Sequence, residues 1–166
     1  MSSDLDDLAF QQLNPRAYAQ IDAMVNQPRA DRELLVEEAG RSLAVALESA
    51  DIRAAVSGHT RNLHSIYEEM ARRRREFNEI YDLNALDVLV QREGREGERD
   101  CYGTVGVIHS LWTPLPGRFR DYVAMPRFDT YRSLHTTVIG PEGRPLEIRV
   151  RTREMDERLG AEDPEP

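Results

Sequence analysis

Apolar residues recur at helical spacing through the first third of the chain and shift to alternation in the last third. Asn14 followed by Pro15 reads as a helix cap with a first-turn proline. It divides a helix at 5–13 from one at 15–26, where Tyr18, Ile21 and Val25 share a face. Leu34, Leu35, Leu43 and Leu47 carry the same period over 30–49. The stretch Val56-Ser57-Gly58-His59-Thr60 interrupts it, and Leu63, Ile66, Tyr67 and Met70 then mark an amphipathic helix to about Arg75.

From Leu83 to Val90 the pattern has the length and β-branched content of a strand, despite an internal aspartate. REGREGERD, 92–100, reads as a solvated loop by its charge and glycine. Residues 101–113 read as a helix with Val105, Ile108 and Trp112 inward, stopped by Pro114 and Pro116. Tyr122 to Met125 reads as a short strand, while His135–Ile139 and Leu146–Val150 pair across GPEGRP as a hairpin. Residues 152–159 start a last helix. Helices followed by mixed strands and helices predict an α+β fold, with a mixed, mainly antiparallel β-sheet flanked by helices. The expected divisions are an N-terminal helical segment over 1–56, a domain over 57–159 and an acidic, disordered tail over 160–166.

Composition narrows the class. With 166 residues, 40% hydrophobic and 31% charged, the chain suits one domain with a modest core. No apolar run approaches a membrane span, and MSSDLDDLAF lacks the features of a signal peptide, so a cytoplasmic location and no membrane partner are expected. Cys101 is the single cysteine, which excludes an intrachain disulfide and predicts a buried, inert thiol. A net charge of −8 argues against nucleic-acid binding, which needs a basic face. Yet Arg118, Arg120, Arg127, Arg132, Arg144, Arg149, Arg151 and Arg153 concentrate in the last third, and the chain has no lysine. Any grip on phosphate must therefore use guanidinium groups, which bind its oxygens bidentately and stay charged.

Three groups of residues carry candidate chemistry. Asp82 at the start of one strand and Glu147 within another are hard oxygen donors of the kind that hold Mg²⁺ with substrate phosphates, or else two ordinary surface acids. Strand parity puts Glu147, Arg149 and Arg151 on one face and Ile148 and Val150 on the other. Beside them stand Tyr131 and His135, able to stack on a purine and donate to phosphate, or to serve as a core tyrosine and a surface histidine. Arg118 and Arg120 flank Phe119 and point one way if PGRFRDYV is extended. Arg61, Ser65 and Glu69, four apart, line one side of a helix; a phosphate-binding face wants the first two and not the third.

Together these pieces resemble the synthetase domain of RelA/SpoT-type alarmone enzymes, the (p)ppGpp synthetases. The resemblance is carried by DCYGTVGVIHSLWTPLPGRFRDYVAMPRFDTYRSLHTTVIGPEGRPLEIRVRT, with its YxSLHTTV and LExxxRT signatures, and more weakly by NLHSIYEEM and EIYDLNAL. The first 56 residues are similar to the helical segment that precedes this domain in long bifunctional members; no hydrolase domain is expected before it and no regulatory domain after it. The resemblance implies a nucleotidyltransferase-like fold and transfer of pyrophosphate from ATP to the 3′-hydroxyl of GDP or GTP, as in the stringent response. It implies Mg²⁺ on Asp82 and Glu147, guanine stacked on Tyr131, acceptor phosphates near Arg118, Arg120 and His135, and the ATP side at Arg61 and Ser65. A homo-oligomer or a full-length family member is a possible partner.

The chain departs from the family pattern mainly on the donor side. Gly58-His59-Thr60-Arg61 stands where the family usually reads GRPK, Glu69 where it carries lysine, and Asp87 where it carries arginine. Two inverted charges weaken ATP binding, since unit charges about 4 Å apart interact by roughly 4 kcal/mol at an effective dielectric of ~20. Asp129, Arg132, Arg149 and Asp156 are further departures, and Arg149 faces the same way as Glu147, where it can pair with that carboxylate and displace the metal. Two readings follow: a working synthetase, and a catalytically impaired relative that binds guanine nucleotide or a partner protein.

Overall fold

The computed structural model describes residues 3–77, 80, 83–125 and 132–156. Three helices come first, α1 (Ser3–Leu13), α2 (Pro15–Val25) and α3 (Arg29–Ser49). The Asn14 side chain accepts from the Ala17 N–H and Pro15 opens α2, as its sequence requires. Asn26 closes α2 in the left-handed conformation, with its N–H on the Asp22 carbonyl. Strand β1 (Ala54–Thr60), helix α4 (Leu63–Arg73), strand β2 (Asn84–Val90) and helix α5 (Gly94–Leu111) follow. Two-residue strands β3 (Thr113–Pro114) and β4 (Arg120–Asp121) then lead to the hairpin β5 (Leu134–Ile139) and β6 (Pro145–Thr152).

The sheet order is β1-β2-β6-β5-β3, with β4 also pairing β5. Among the described residues only β2 and β6 run parallel, so the sheet is mixed and mainly antiparallel, as expected. One face is apolar. Leu86, Val88, Val90, Leu134, Val138, Ile148 and Val150 are buried there against Val36, Ala39, Leu43 and Leu47 of α3 and Cys101, Val105 and Ile108 of α5. Each such side chain contributes about 1.5–3 kcal/mol by leaving water. A second cluster, Phe10, Ile21, Val25, Leu63, Ile66 and Ile80, ties α4 to α1 and α2. No helix among the described residues is long and apolar enough to cross a membrane.

Four local expectations are corrected. The interruption at Val56–Thr60 is itself a strand, β1, at the edge of the sheet; its small residues hide the alternation, and Gly58 lets α3 approach so closely that an added Cβ would lie 2.2 Å from Val36 Cγ1. REGREGERD is not a loop beyond its first residues, because α5 starts at Gly94. Arg92 clamps the first turns, binding Asp100 through two nitrogens at 2.7 and 2.9 Å and Glu96 at 3.2 Å. The expected strand at Tyr122–Met125 is a turn, since Asp121 Oδ1 accepts from the Val123 and Ala124 N–H groups at 3.0 and 2.9 Å; the strand is Arg120–Asp121 instead. Leu34 is 52% exposed, and Leu35, Val36 and Ala39 take its place in the core. Residues 153–156 form the expected helical turn, and the remainder of that helix and the acidic tail lie outside the described residues.

Candidate active site

The face of the sheet opposite α3 and α5 is polar, and the register sets out its rows. Ser57, Asp87, Arg149, His135 and Arg120 are successive partners across β1, β2, β6, β5 and β4. His59, Ala85, Glu147 and Thr137 form the next row. Alternation thus places Glu147, Arg149 and Arg151 on one side, with Ile148 and Val150 fully buried on the other.

Glu147 Oε1 lies 3.4 Å from Arg149 Nε and 3.8 Å from His135 Nδ1. Asp87 gathers three basic groups: Arg149 Nε at 3.9 Å, Arg151 Nη2 at 3.5 Å and His59 Nε2 at 3.3 Å. Arg151 is anchored a second time, through Nε to Asp156 Oδ1 at 3.0 Å. Two of the aspartates that depart from the family pattern, Asp87 and Asp156, therefore pair with arginines of β6. Tyr122 meets the His135 ring edge-on, with centroids 5.3 Å apart. Arg132, also a departure, binds Glu98 of α5 at 3.1 Å.

Arg61 extends the β1–β2 ladder, its N–H on the Leu83 carbonyl, and comes just before α4. Its guanidinium bonds Ser65 Oγ through Nε and Nη2 at 3.0 and 2.6 Å and also bonds Glu69. Glu69 holds Arg75 as well, at 3.6 Å. Arg61, Ser65 and Glu69 do come together, but Arg61 reaches the other two from the chain before α4 and not from the face of that helix. The buried Arg32 of α3 reaches up to bond the Arg61 carbonyl at 2.8 Å, and burial pulls its pKa down. Nothing in the helical period of α3 singled out that residue. Beside His59 and Thr60 opens a cavity of about 250 Å³, whose other wall includes Glu33 and Glu37 of α3.

The stretch PGRFRDYV that holds Arg118 and Arg120 is not extended along its whole length. The chain turns at Gly117, which has a φ of 75°, and Arg120 folds back to donate to the Gly117 and Phe119 carbonyls at 2.8 and 2.9 Å. Asp82 and Tyr131 lie outside the described residues, but Ala85, three positions after Asp82, stands directly opposite Glu147. Among the described residues no three His, Cys, Asp or Glu side chains come close enough to hold a metal ion by themselves. Cys101 is buried in the core, and burial pushes its thiol up to about 12.

Residues 58–162 match the region found in RelA/SpoT proteins. The chain belongs to the RelA/SpoT family. It is 41% identical over 152 residues to the bifunctional (p)ppGpp synthase/hydrolase RelA of Mycobacterium tuberculosis, a match over 92% of this chain and 20% of that protein. It is 43% identical over 155 residues to a GTP pyrophosphokinase of Streptomyces coelicolor, covering 93% of this chain and 18% of the other. This RelA/SpoT chain thus spans about a fifth of the length of the curated relatives it matches. Its fold is that of small alarmone synthetase 1 from Bacillus subtilis, solved with its product pppGpp, at a TM-score of 0.62. That likeness comes with 23% identity and covers 79% of this chain and 74% of that one.

Proposed function

We propose that this RelA/SpoT chain transfers pyrophosphate from ATP to the 3′-hydroxyl of GDP or GTP, making ppGpp or pppGpp. The observation that carries the proposal is the polar sheet face, where Glu147 sits beside His135 and Arg149, with Arg61 and Ser65 on the neighbouring side. Its relatives named GTP pyrophosphokinase support the same reading. The 3′-oxygen attacks the β-phosphorus of ATP, the bond from that phosphorus to the α,β-bridging oxygen breaks, and AMP leaves. Such transfer depends on positioning and on neutralising phosphate charge.

In this reading Glu147 takes the hydroxyl proton or helps to hold a metal. Glu147 fits Mg²⁺ in offering a hard carboxylate oxygen on the polar face, largely shielded from solvent, and Arg149 is the cation that must give way to the ion there. Asp82 and Glu147 would hold the ion with the substrate phosphates, where it neutralises charge at the transferring group. Tyr131 stacks on guanine, and His135, Arg118 and Arg120 hold the acceptor phosphates. Arg61 and Ser65 take the donor. Residues 57–159 do this chemistry, and residues 1–56 brace it, with α3 covering β1 and α4 set on α1 and α2.

The test is chromatography of reactions holding labelled ATP, Mg²⁺ and GDP or GTP. Product with AMP is expected from the natural chain, and a drop of at least about 100-fold in Asp82→Ala and Glu147→Gln, the order expected for losing one group that stabilises the transition state. Absence of product from the natural chain sinks the proposal. If GDP still binds in that case, and Tyr131→Ala removes the binding, the chain is the impaired relative that keeps its acceptor half. The ion pairs of Glu147 with Arg149 and of Glu69 with Arg61 are what favour that second reading.

A further inference from the structure

Arg149 stands between two acids on one sheet face. Its Nε is 3.4 Å from Glu147 Oε1, two residues back along β6, and 3.9 Å from Oδ1 of Asp87, its direct partner on β2. Both Arg149 Nε and Asp87 Oδ1 are buried, and neither makes a hydrogen bond among the described residues. Charge holds the guanidinium in the middle, and no directional bond through Nε ties it to either side.

The surroundings of Asp87 leave it able to take more of that charge. Arg151 lies 3.5 Å from Asp87 Oδ1 through Nη2, while its Nε bonds Asp156. His59 approaches the other oxygen, Oδ2. A carboxylate oxygen that carries a guanidinium and a divalent cation together sets two positive charges against each other in a half-buried place. Separating a half-buried ion pair with no second partner strands a charge, which is costly. Asp87 supplies that second partner, less than 4 Å from where Arg149 Nε already lies.

We infer that Asp87 is a positioning residue that draws Arg149 off Glu147 when a divalent cation arrives, so that the acid stays available to the metal. The inference rests on the reading of Glu147 as a metal-holding group. On this view Asp87 assists the site, where the sequence alone presented it as a repulsive charge on the donor side.

The experiment uses Mn²⁺ alone, titrated into the full chain and followed by paramagnetic broadening of the β2 and β6 amide signals. Broadening that Glu147→Gln removes identifies the site. Arg149→Gln is expected to tighten the apparent Kd and Asp87→Asn to weaken it, each by roughly fivefold, the scale of one partly exposed charge pair. In the Arg149→Gln background, Asp87→Asn should change Kd by less than about twofold, because the cation it positions is gone. Asp87→Glu should keep most of the affinity. As a second readout, Mg²⁺ should shift the Arg149 Nε–H resonance in the natural chain and leave it unmoved in Asp87→Asn.

If Asp87→Asn weakens Mn²⁺ equally with and without Arg149, Asp87 acts by plain attraction for the ion. The positioning role is then overturned while the metal reading stands. If no broadening depends on Glu147, both readings fall together.

Discussion

Glu69 and Arg61 form an ion pair at the start of α4, with their side chains only 13% and 18% exposed. Glu69 also holds Arg75 at 3.6 Å. One acid thus occupies two guanidinium groups on the side of the site proposed for ATP. It is set against the ligand less by direct repulsion than by competing with phosphate for the same donors.

Glu69→Gln should therefore lower the KM for ATP by about three- to tenfold, the equivalent of roughly 1 kcal/mol, with a smaller change in kcat. Steady-state kinetics at two ionic strengths check this. The gap between the two proteins should narrow at high salt, because screening weakens the competing pair. An unchanged or higher KM would mean that Glu69 orients Arg61 for the substrate.

Gly58 and Gly106 should respond in opposite ways to alanine. At Gly58 the new Cβ would lie 2.2 Å from Val36 Cγ1 and 3.1 Å from Leu86 Cδ2, so α3 must lift from the sheet. A loss of about 1–3 kcal/mol is expected, and each kcal/mol is worth roughly 2–4 °C in Tm at this chain length. At Gly106, inside α5, an added Cβ meets nothing within 4 Å. That substitution should stabilise by about 0.5–1 kcal/mol through lower helix-forming cost. Thermal unfolding of both variants decides the matter.

Asp121 gives the fold a pH signature. Burial pushes its carboxyl up, but bonds from the Ala124 N–H, the Tyr102 hydroxyl and the Val123 N–H outweigh this and hold it below its ordinary value of 3.8. A depressed carboxyl contributes stability that is fully present above its unfolded value and is lost as pH falls through its folded value. The natural chain should exceed Asp121→Asn in stability from neutral pH down to about 4, with the gap closing below that. Tyr102 mirrors it. Burial, then the bond to Asp121, raises its hydroxyl from 10.0 to about 12, so its share is complete below 10 and fades as pH rises toward 12. Urea melts of both proteins across pH test the acid side, and melts of Tyr102→Phe test the alkaline side.

The parts of the fold that were legible are those whose pattern is local. The β5–β6 hairpin shows in the alternation of Leu134–Ile139 and Pro145–Thr152 around a glycine turn, and α2 shows in its Asn14-Pro15 start. Strand β1 was missed because small residues with little contrast suffice at an edge. The start of α5 was missed although Arg92, Glu96 and Asp100 stand four apart, a helical signal that the glycines masked. Strands of two residues, β3 and β4, leave no period to read.

At the site, parity alone put Glu147 and Arg149 on one face. It said nothing of Asp87, because the parallel β2–β6 pairing is non-local and no sequence spacing encodes it. The same holds for Arg32, whose bond to the Arg61 carbonyl joins positions on separate elements.

That parallel ladder also governs the order in which the protein is able to fold. Ala85 and Glu147 are neighbours across it, yet α5, β3, β4 and β5 lie between them in the chain. The β5–β6 hairpin closes over a short loop and the β1–β2 pair over residues 61–83, whereas the centre of the sheet requires residues 91–144 to loop back, at a larger entropic cost. While a ribosome is still making β5, β2 has one satisfied edge and one open edge. It stays in that aggregation-exposed condition until β6 has been made and docks between β2 and β5.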